Sequence, residues 1–169
     1  MASIKYGCLD PSPKTHEYPV AASQYFYHEG VNFVYLDTSG HLTKALTGTT
    51  TLLGWAIVPK GRGAGTSDLY WLSSATAGAD KIPVVLAKDN YEFLVPGIIT
   101  VTAAMTGGAW DLLAVNDGSQ TLATGEAADF DTSSTDVLIL TDLGVNKVAK
   151  AAITDGVVII NPAKMQADT

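Results

Sequence analysis

Few residues in this chain have the types and spacing that do chemistry. Gly61-Arg62-Gly63-Ala64-Gly65-Thr66-Ser67 is the one stretch that looks like a phosphate loop. Such a loop needs Gly-Lys-Ser/Thr running into a helix, so that a lysine and backbone N–H groups hold the phosphates. Here the Gly-Lys step is absent and the strand-like Leu69-Tyr70-Trp71-Leu72 follows, so a surface loop is expected. Asp129-x-Asp131-x-Ser133 begins like a calcium loop. Its sixth position is Ser134 instead of Gly, and its twelfth is Leu140 where a bidentate Glu is required. A solvated acidic turn is expected there. His16, His28 and His41 share no metal-ligand spacing. No serine lies in a Gly-x-Ser-x-Gly elbow. Glu17, Glu29, Glu92 and Glu126 are isolated, so only folding could assemble a carboxylate pair. The expectation is a protein without metal, nucleotide or other cofactor and without a catalytic site.

The elements that would position any site read as strands. Gly30 to Pro59 holds three apolar runs of strand length separated by turn residues, a β-meander. Asp37-Thr38-Ser39-Gly40 is a four-residue hairpin loop, because Asp and Ser bond their own backbone and Gly accepts positive φ. Gly54 before Trp55 predicts a bulge or a close backbone approach. Further strands are expected at 69–72, 81–87 (its start pushed to an edge or bulge by Pro83), 91–95, 98–102, 110–115, 120–123, 137–140 and 157–160. A helical turn is expected at 103–106, and Asp155-Gly156 reads as a hairpin turn. No repeat of fixed period is visible. Strands every eight to twelve residues point to an all-β fold, a small β-barrel or β-sandwich. The expected core includes Val34, Leu36, Leu53, Trp55, Ile57, Val85, Phe93, Leu138 and Ile159.

Residues 1–29 differ from this pattern and are expected to form an extended N-terminal arm before a domain at 30–162 and a tail at 163–169. Pro11, Pro13 and Pro19 favour extended backbone, and Tyr25-Phe26-Tyr27-His28 is a dense aromatic run. Disordered tails are poor in aromatics, so the arm is expected to pack, on its own barrel or on a neighbouring subunit. Pro11, Pro13, Tyr18, Tyr25, Phe26 and Tyr27 are the candidate partner-contact residues.

Charged residues make up 16% of the chain, below the roughly 25% usual for soluble domains, so part of the weakly charged surface is a candidate for cover by a partner. A net charge of −7 argues against nucleic-acid binding, which needs clustered Lys and Arg. Cys8 alone excludes an internal disulfide. No apolar run is long enough to cross a bilayer and no apolar signal segment opens the chain, so no membrane partner and synthesis in a reducing cytoplasm are expected.

Val34-Tyr35-Leu36-Asp37 through Gly40, followed by Leu53-Gly54-Trp55-Ala56, resembles the small head-decoration, or cement, proteins of tailed bacteriophages. Lys81-Ile82-Pro83-Val84, Tyr91-Glu92-Phe93, Trp110-Asp111-Leu112, Asp131 to Val137 and Ile159 to Lys164 are similar to segments of such head proteins. The chain departs from the small decoration proteins in being longer and in its Tyr-rich arm. The resemblance implies a non-enzymatic virion protein, a homo-oligomer with a trimer favoured. It would bind the outside of a phage capsid and bridge major capsid protein subunits against internal DNA pressure. Two other classes remain open. One is a receptor- or glycan-binding module in which Trp55, Trp71 or Trp110 would be exposed, although core burial is expected for all three. The other is a hydrolase with a carboxylate pair assembled by folding.

Overall fold

The structure, a computed structural model, describes residues 6–28, 31–59, 70–97, 100–113, 127–129, 133–144 and 155–166. Its strands are β1 (Gly7–Cys8), β2 (His16–Pro19), β3 (Tyr25–Tyr27), β4 (Phe33–Leu36), β5 (Leu42–Lys44), β6 (Gly54–Ala56) and β7 (Tyr70–Leu72). They continue as β8 (Lys81–Leu86), β9 (Phe93–Pro96), β10 (Ala109–Leu113), β11 (Ala127–Asp129), β12 (Leu138–Leu143) and β13 (Asp155–Ile160). All their pairings are antiparallel. Among the described residues no helix is long and apolar enough to cross a membrane.

Five strands pair in the order β2-β8-β6-β4-β5. The sheet then closes on itself. Val20, just past β2, makes a parallel bridge to Leu42 in β5, and the Ala21 N–H donates to the Leu42 carbonyl at 2.9 Å. A second set pairs in the order β9-β13-β12-β10-β11, with β1 added on β9. This set also closes, because Gly97, just past β9, makes a parallel bridge to Ala128 in β11. Lettered a to e in chain order (β2, β4, β5, β6, β8 and then β9, β10, β11, β12, β13), both sets run a-e-d-b-c. Both are sealed by a parallel bridge from the end of strand a to strand c. The all-β fold is therefore a tandem pair of small barrels with one topology. Closure matters energetically, because it ties down the end of each edge strand and shortens the unpaired edge through which open sheets aggregate.

Alternation along the strands fills both interiors. Tyr18, Val34, Leu36, Leu42, Ala56, Ile82, Val84 and Leu86 are buried in the first barrel. Phe93, Val95, Leu112, Ala128, Leu138, Leu140, Val158 and Ile160 are buried in the second. Phe33, Trp55 and Val85 alternate out of the first barrel and join the core of the second. Trp55 stacks on Phe93 at 5.7 Å, and Phe33 meets both rings edge-on. Each such ring removes enough apolar surface from water to contribute about 1.5–3 kcal/mol.

The chain ends cross between the barrels. β1, at the N-terminal end, pairs with β9 of the second barrel. At the other end, Met165 bridges Leu52 beside the first barrel, and the Gln166 side chain both donates to and accepts from the Leu36 backbone. The expected division into arm, domain and tail is thus corrected. Residues 7–28 supply β1, β2 and β3 to three different sheets, and residues 163–166 dock on the first barrel. Prolines keep that N-terminal segment extended, which is what a strand requires.

Several sequence expectations hold. The Asp37–Gly40 turn forms as written: the Asp37 carboxylate accepts from the Ser39 and His41 N–H groups, and Gly40 sits at φ 79°. Gly54 lies against the Val85 carbonyl, with no room for a Cβ. The turn at 103–106 is a short 3-10 helix, Ala103–Met105. Others do not hold. Ile57 is 40% exposed, because it lies one step past β6, at the end of the patch that the second barrel covers. Ile159 is half-buried, because Val158 and Ile160 take the core side of β13 and alternation turns it outward. Asp155 and Gly156 open β13 and form no turn. Pro83 lies inside β8, between β2 and β6, where its carbonyl accepts from the Ile57 N–H at 2.9 Å. Thr100 and Val101 carry no strand pairing. The expected strand at 120–123 and the loop at 61–67 lie outside the described residues.

Candidate contact surface

Five of the six candidate contact residues separate into two groups, with half-buried Tyr25 between them. Tyr18, Phe26 and Tyr27 are buried in the chain's own core, which corrects their assignment as partner contacts. β3 and β7 form a two-stranded ribbon in which Phe26 pairs with Trp71 and Tyr25 with Leu72. The Phe26 and Trp71 rings lie 5.9 Å apart, and both belong to the first barrel's core. Tyr25 is half-buried, its ring 5.4 Å from Tyr70. Aromatic side chains this close to a barrel lose more free energy in water than in the core, so the run folds inward.

Pro11 and Pro13 belong to the second group. They lie on a strap, residues 9–15, that leaves β1 on the second barrel and enters β2 on the first. Leu9 is 49% exposed, Pro11 and Lys14 are exposed, and Pro13 is half-buried. Three bonds fix the strap: Leu9 N–H to the Glu92 carbonyl at 3.0 Å, Ser12 N–H to the Asp10 carboxylate at 2.9 Å, and Lys14 N–H to the Tyr91 hydroxyl at 2.8 Å. The strap leads into an edge guarded against strand addition. The Val20 N–H points to the Asp80 carbonyl on the β8 side. Alternation therefore turns residues 17 and 19 to the open side, where Pro19 has no N–H to offer. Contact by this ridge is therefore a matter of side chains.

The ionisable groups that folding buries hold the chain together. Asp111, 7% exposed on β10, accepts from the Ser134 N–H and hydroxyl, the Thr135 N–H and hydroxyl, and the Asp136 N–H, at 2.6–3.0 Å. Burial pushes its pKa up, but these hydrogen bonds to the charged form outweigh burial and hold the carboxyl well below the usual range. Asp155 is the converse. Burial raises its pKa, and the single Tyr6 hydroxyl at 3.2 Å lowers it less. Burial and the facing carboxylate push the Tyr6 phenol up to about 12. Lys44 is buried in the first barrel with its ammonium 4.8 Å from the centre of the Tyr27 ring, a cation–π contact. No signal in the sequence marks Asp111, Asp155 or Lys44, since their partners lie 17 to 149 residues away.

Other candidates do not converge. Among the described residues no three His, Cys, Asp or Glu side chains could share a metal ion, and Asp131 of the acidic loop lies outside them. His41 and Asp37 approach to 4.0 Å within the hairpin turn, while His16 is exposed on β2. A cleft of about 590 Å³ is lined by Ser23, Trp71, Ser73, Ser74, Asp80 and Lys81 among others, a volume in the range of small-molecule sites. Two of its polar side chains are engaged with the chain: Asp80 accepts from the Ser74 N–H, and the Ser73 hydroxyl bonds Ala21 and Gln24. Trp55 and Trp71 are each 4% exposed, so neither offers a face to a sugar; Trp110 is half-buried, its indole N–H 3.4 Å from the Met105 carbonyl.

No family model, curated protein or solved structure matches this chain.

Proposed function

We propose that the protein is a non-enzymatic virion protein that binds the outer surface of a phage capsid and stabilises it by bridging major capsid subunits. The observation that carries this reading is the strap at residues 9–15. It is an exposed ridge, fixed by three hydrogen bonds, that spans both barrels and ends at a proline-guarded edge. A ridge ordered before binding loses little entropy on docking, so modest contacts count in full. Repeated around a shell, each copy adds a contact spanning neighbouring subunits, and weak single contacts sum to avidity. A trimer at three-fold positions follows from the resemblance to decoration proteins and places three ridges at one site.

Deleting residues 1–29 would not test this, because it removes β1, β2 and β3 and with them part of both barrels. The test is co-sedimentation of the full chain with heads stripped of surface proteins, alongside the double variant Leu9→Asp, Pro11→Asp. The full chain should bind and raise the temperature at which heads release DNA. The folded double variant should bind at least tenfold more weakly. A full chain that never sediments with heads sinks the proposal.

A further inference from the structure

The cleft beside β7 and the start of β8 is bordered by strand edges whose backbone groups turn away from their own partner strands. In a trans peptide the N–H and C=O point in opposite directions. The Ser73 N–H donates to the Gln24 carbonyl on the β3 side, so the Leu72 C=O of the same peptide turns away from β3. Alternation turns the Leu72 N–H the same way, because Leu72 and Tyr25 form a pair that exchanges no backbone bonds. At the start of β8 the Asp80 carbonyl accepts from the Val20 N–H, so the Lys81 N–H turns away from β2, and alternation takes the Lys81 C=O with it. The register of β6 on β8 continues through the bond from the Ile57 N–H to the Pro83 carbonyl and, carried on, sets residue 59 opposite Lys81. Pro59 has no N–H to donate, and no backbone bond joins it to Lys81. Pro59, Leu72 and Lys81 all line the cleft of about 590 Å³. Among the described residues, neither Leu72 nor Lys81 has a backbone partner on that side.

Resting on the proposed capsid role, we infer that this cleft is a strand-addition site, which takes an extended segment of the major capsid protein whose backbone pairs with Leu72 and Lys81. Open N–H and C=O groups on a strand edge fit another extended backbone, and in such pairing the main-chain bonds supply affinity without requiring one particular side chain. A sugar fits less well, because it needs a ring to stack on, and Trp71 in the same wall is 4% exposed. The contrast with β2 supports the assignment. There Pro19 denies an N–H to an incoming strand, whereas Leu72 and Lys81 keep theirs. A bare edge invites aggregation and proteins block the edges they do not use, so an edge left open beside a cavity points to a partner strand. The added segment would extend the β3–β7 ribbon.

The experiment uses the isotope-labelled full chain, overlapping synthetic peptides that span the major capsid protein, and the stripped heads. In the free chain the Leu72 and Lys81 amides should exchange rapidly with solvent. One peptide should shift both amide signals and slow their exchange, and it should also displace the full chain from heads. N-methylating that peptide at its pairing residues should weaken it about tenfold, because each methyl removes a backbone donor. Replacing the side chains of the same residues by alanine should weaken it less. Leu72→Pro and Lys81→Pro each remove one N–H that the chain itself does not use, so both should melt like the wild type and bind heads and peptide more weakly. Should either fail to fold, the N-methylated peptides decide the question on the unaltered chain. The inference is overturned if both amides are already protected in the free chain, since the chain itself or a second copy then fills the edge; a dependence on protein concentration tells those two apart. It is also overturned if heads bind the full chain while no capsid peptide moves the Leu72 and Lys81 signals, or if N-methylation changes nothing; the capsid reading then stands without it. A full chain that binds no heads overturns both.

Discussion

At the scale of single residues, Asp111 shows how a buried charge can act as a clamp. Its carboxylate gathers the backbone N–H groups of Ser134, Thr135 and Asp136 and ties that turn onto β10. The folded pKa is depressed, so the stabilisation is present above the unfolded value of about 4 and is lost as pH falls through the folded value. Replacing Asp111→Asn sets an N–H donor against donors and should cost about 2 kcal/mol at pH 7. That deficit should hold between pH 7 and 5 and shrink below about pH 4, where the carboxyl protonates in the unfolded chain first. Urea unfolding of both proteins at pH 7, 5 and 3 checks this, and a deficit that is the same at all three would show that charge plays no part. Asp155 has the opposite sign: its raised pKa favours the neutral acid, so its contribution is present at low pH and is lost as pH rises through the folded value.

At the scale of elements, the close pairs of strands allow little substitution. Gly54 on β6 lies so near the Val85 carbonyl of β8 that a Cβ there collides with backbone. Backbone cannot rotate aside as a side-chain tip can, so Gly54→Ala should separate β6 from β8 or abolish folding, a loss of about 3 kcal/mol or more. Gly40→Ala is the control. Its Cβ meets nothing within 4 Å, and only the φ of 79° opposes it, at roughly 1 kcal/mol. Thermal melting should rank wild type, Gly40→Ala and Gly54→Ala in that order. These elements were also where the sequence was most legible: the Asp37 turn, the Gly54 approach and the apolar run Val137 to Leu140 are all local signals. β1, β2 and β3 were not legible as strands, because their prolines and short length resemble a linker until a partner strand is supplied.

At the scale of the whole molecule, the barrels are stitched together at three places: β1 on β9, Met165 and Gln166 on the first barrel, and the Phe33–Trp55–Phe93 cluster between them. The chain should therefore unfold in one cooperative step in spite of its two barrels. Residues 91–169 expressed alone should not fold, since they lack β1 and the Trp55 ring. Phe93→Ala should cost about 3–5 kcal/mol and broaden or split the transition. Calorimetry with equal van't Hoff and calorimetric enthalpies is the expected wild-type result; two separate transitions in the wild type would mean that the barrels are independent.

By itself the sequence determined that the chain is all-β, where some of its turns fall, such as Asp37–Gly40, and that its chemistry-bearing residues make no local motif. Each of these depends on neighbours in sequence: alternation, Gly and Asp at turns, and ligand spacing. The tertiary structure alone decided that the strands form two barrels of one topology, since a-e-d-b-c pairing joins residues far apart in a chain with no visible repeat. It alone turned Tyr18, Phe26 and Tyr27 inward, because an aromatic run shows a demand for burial without showing which surface meets it. It also decided that the chain's two ends exchange barrels, because backbone N–H and C=O groups pair with whichever strand edge folding brings within reach.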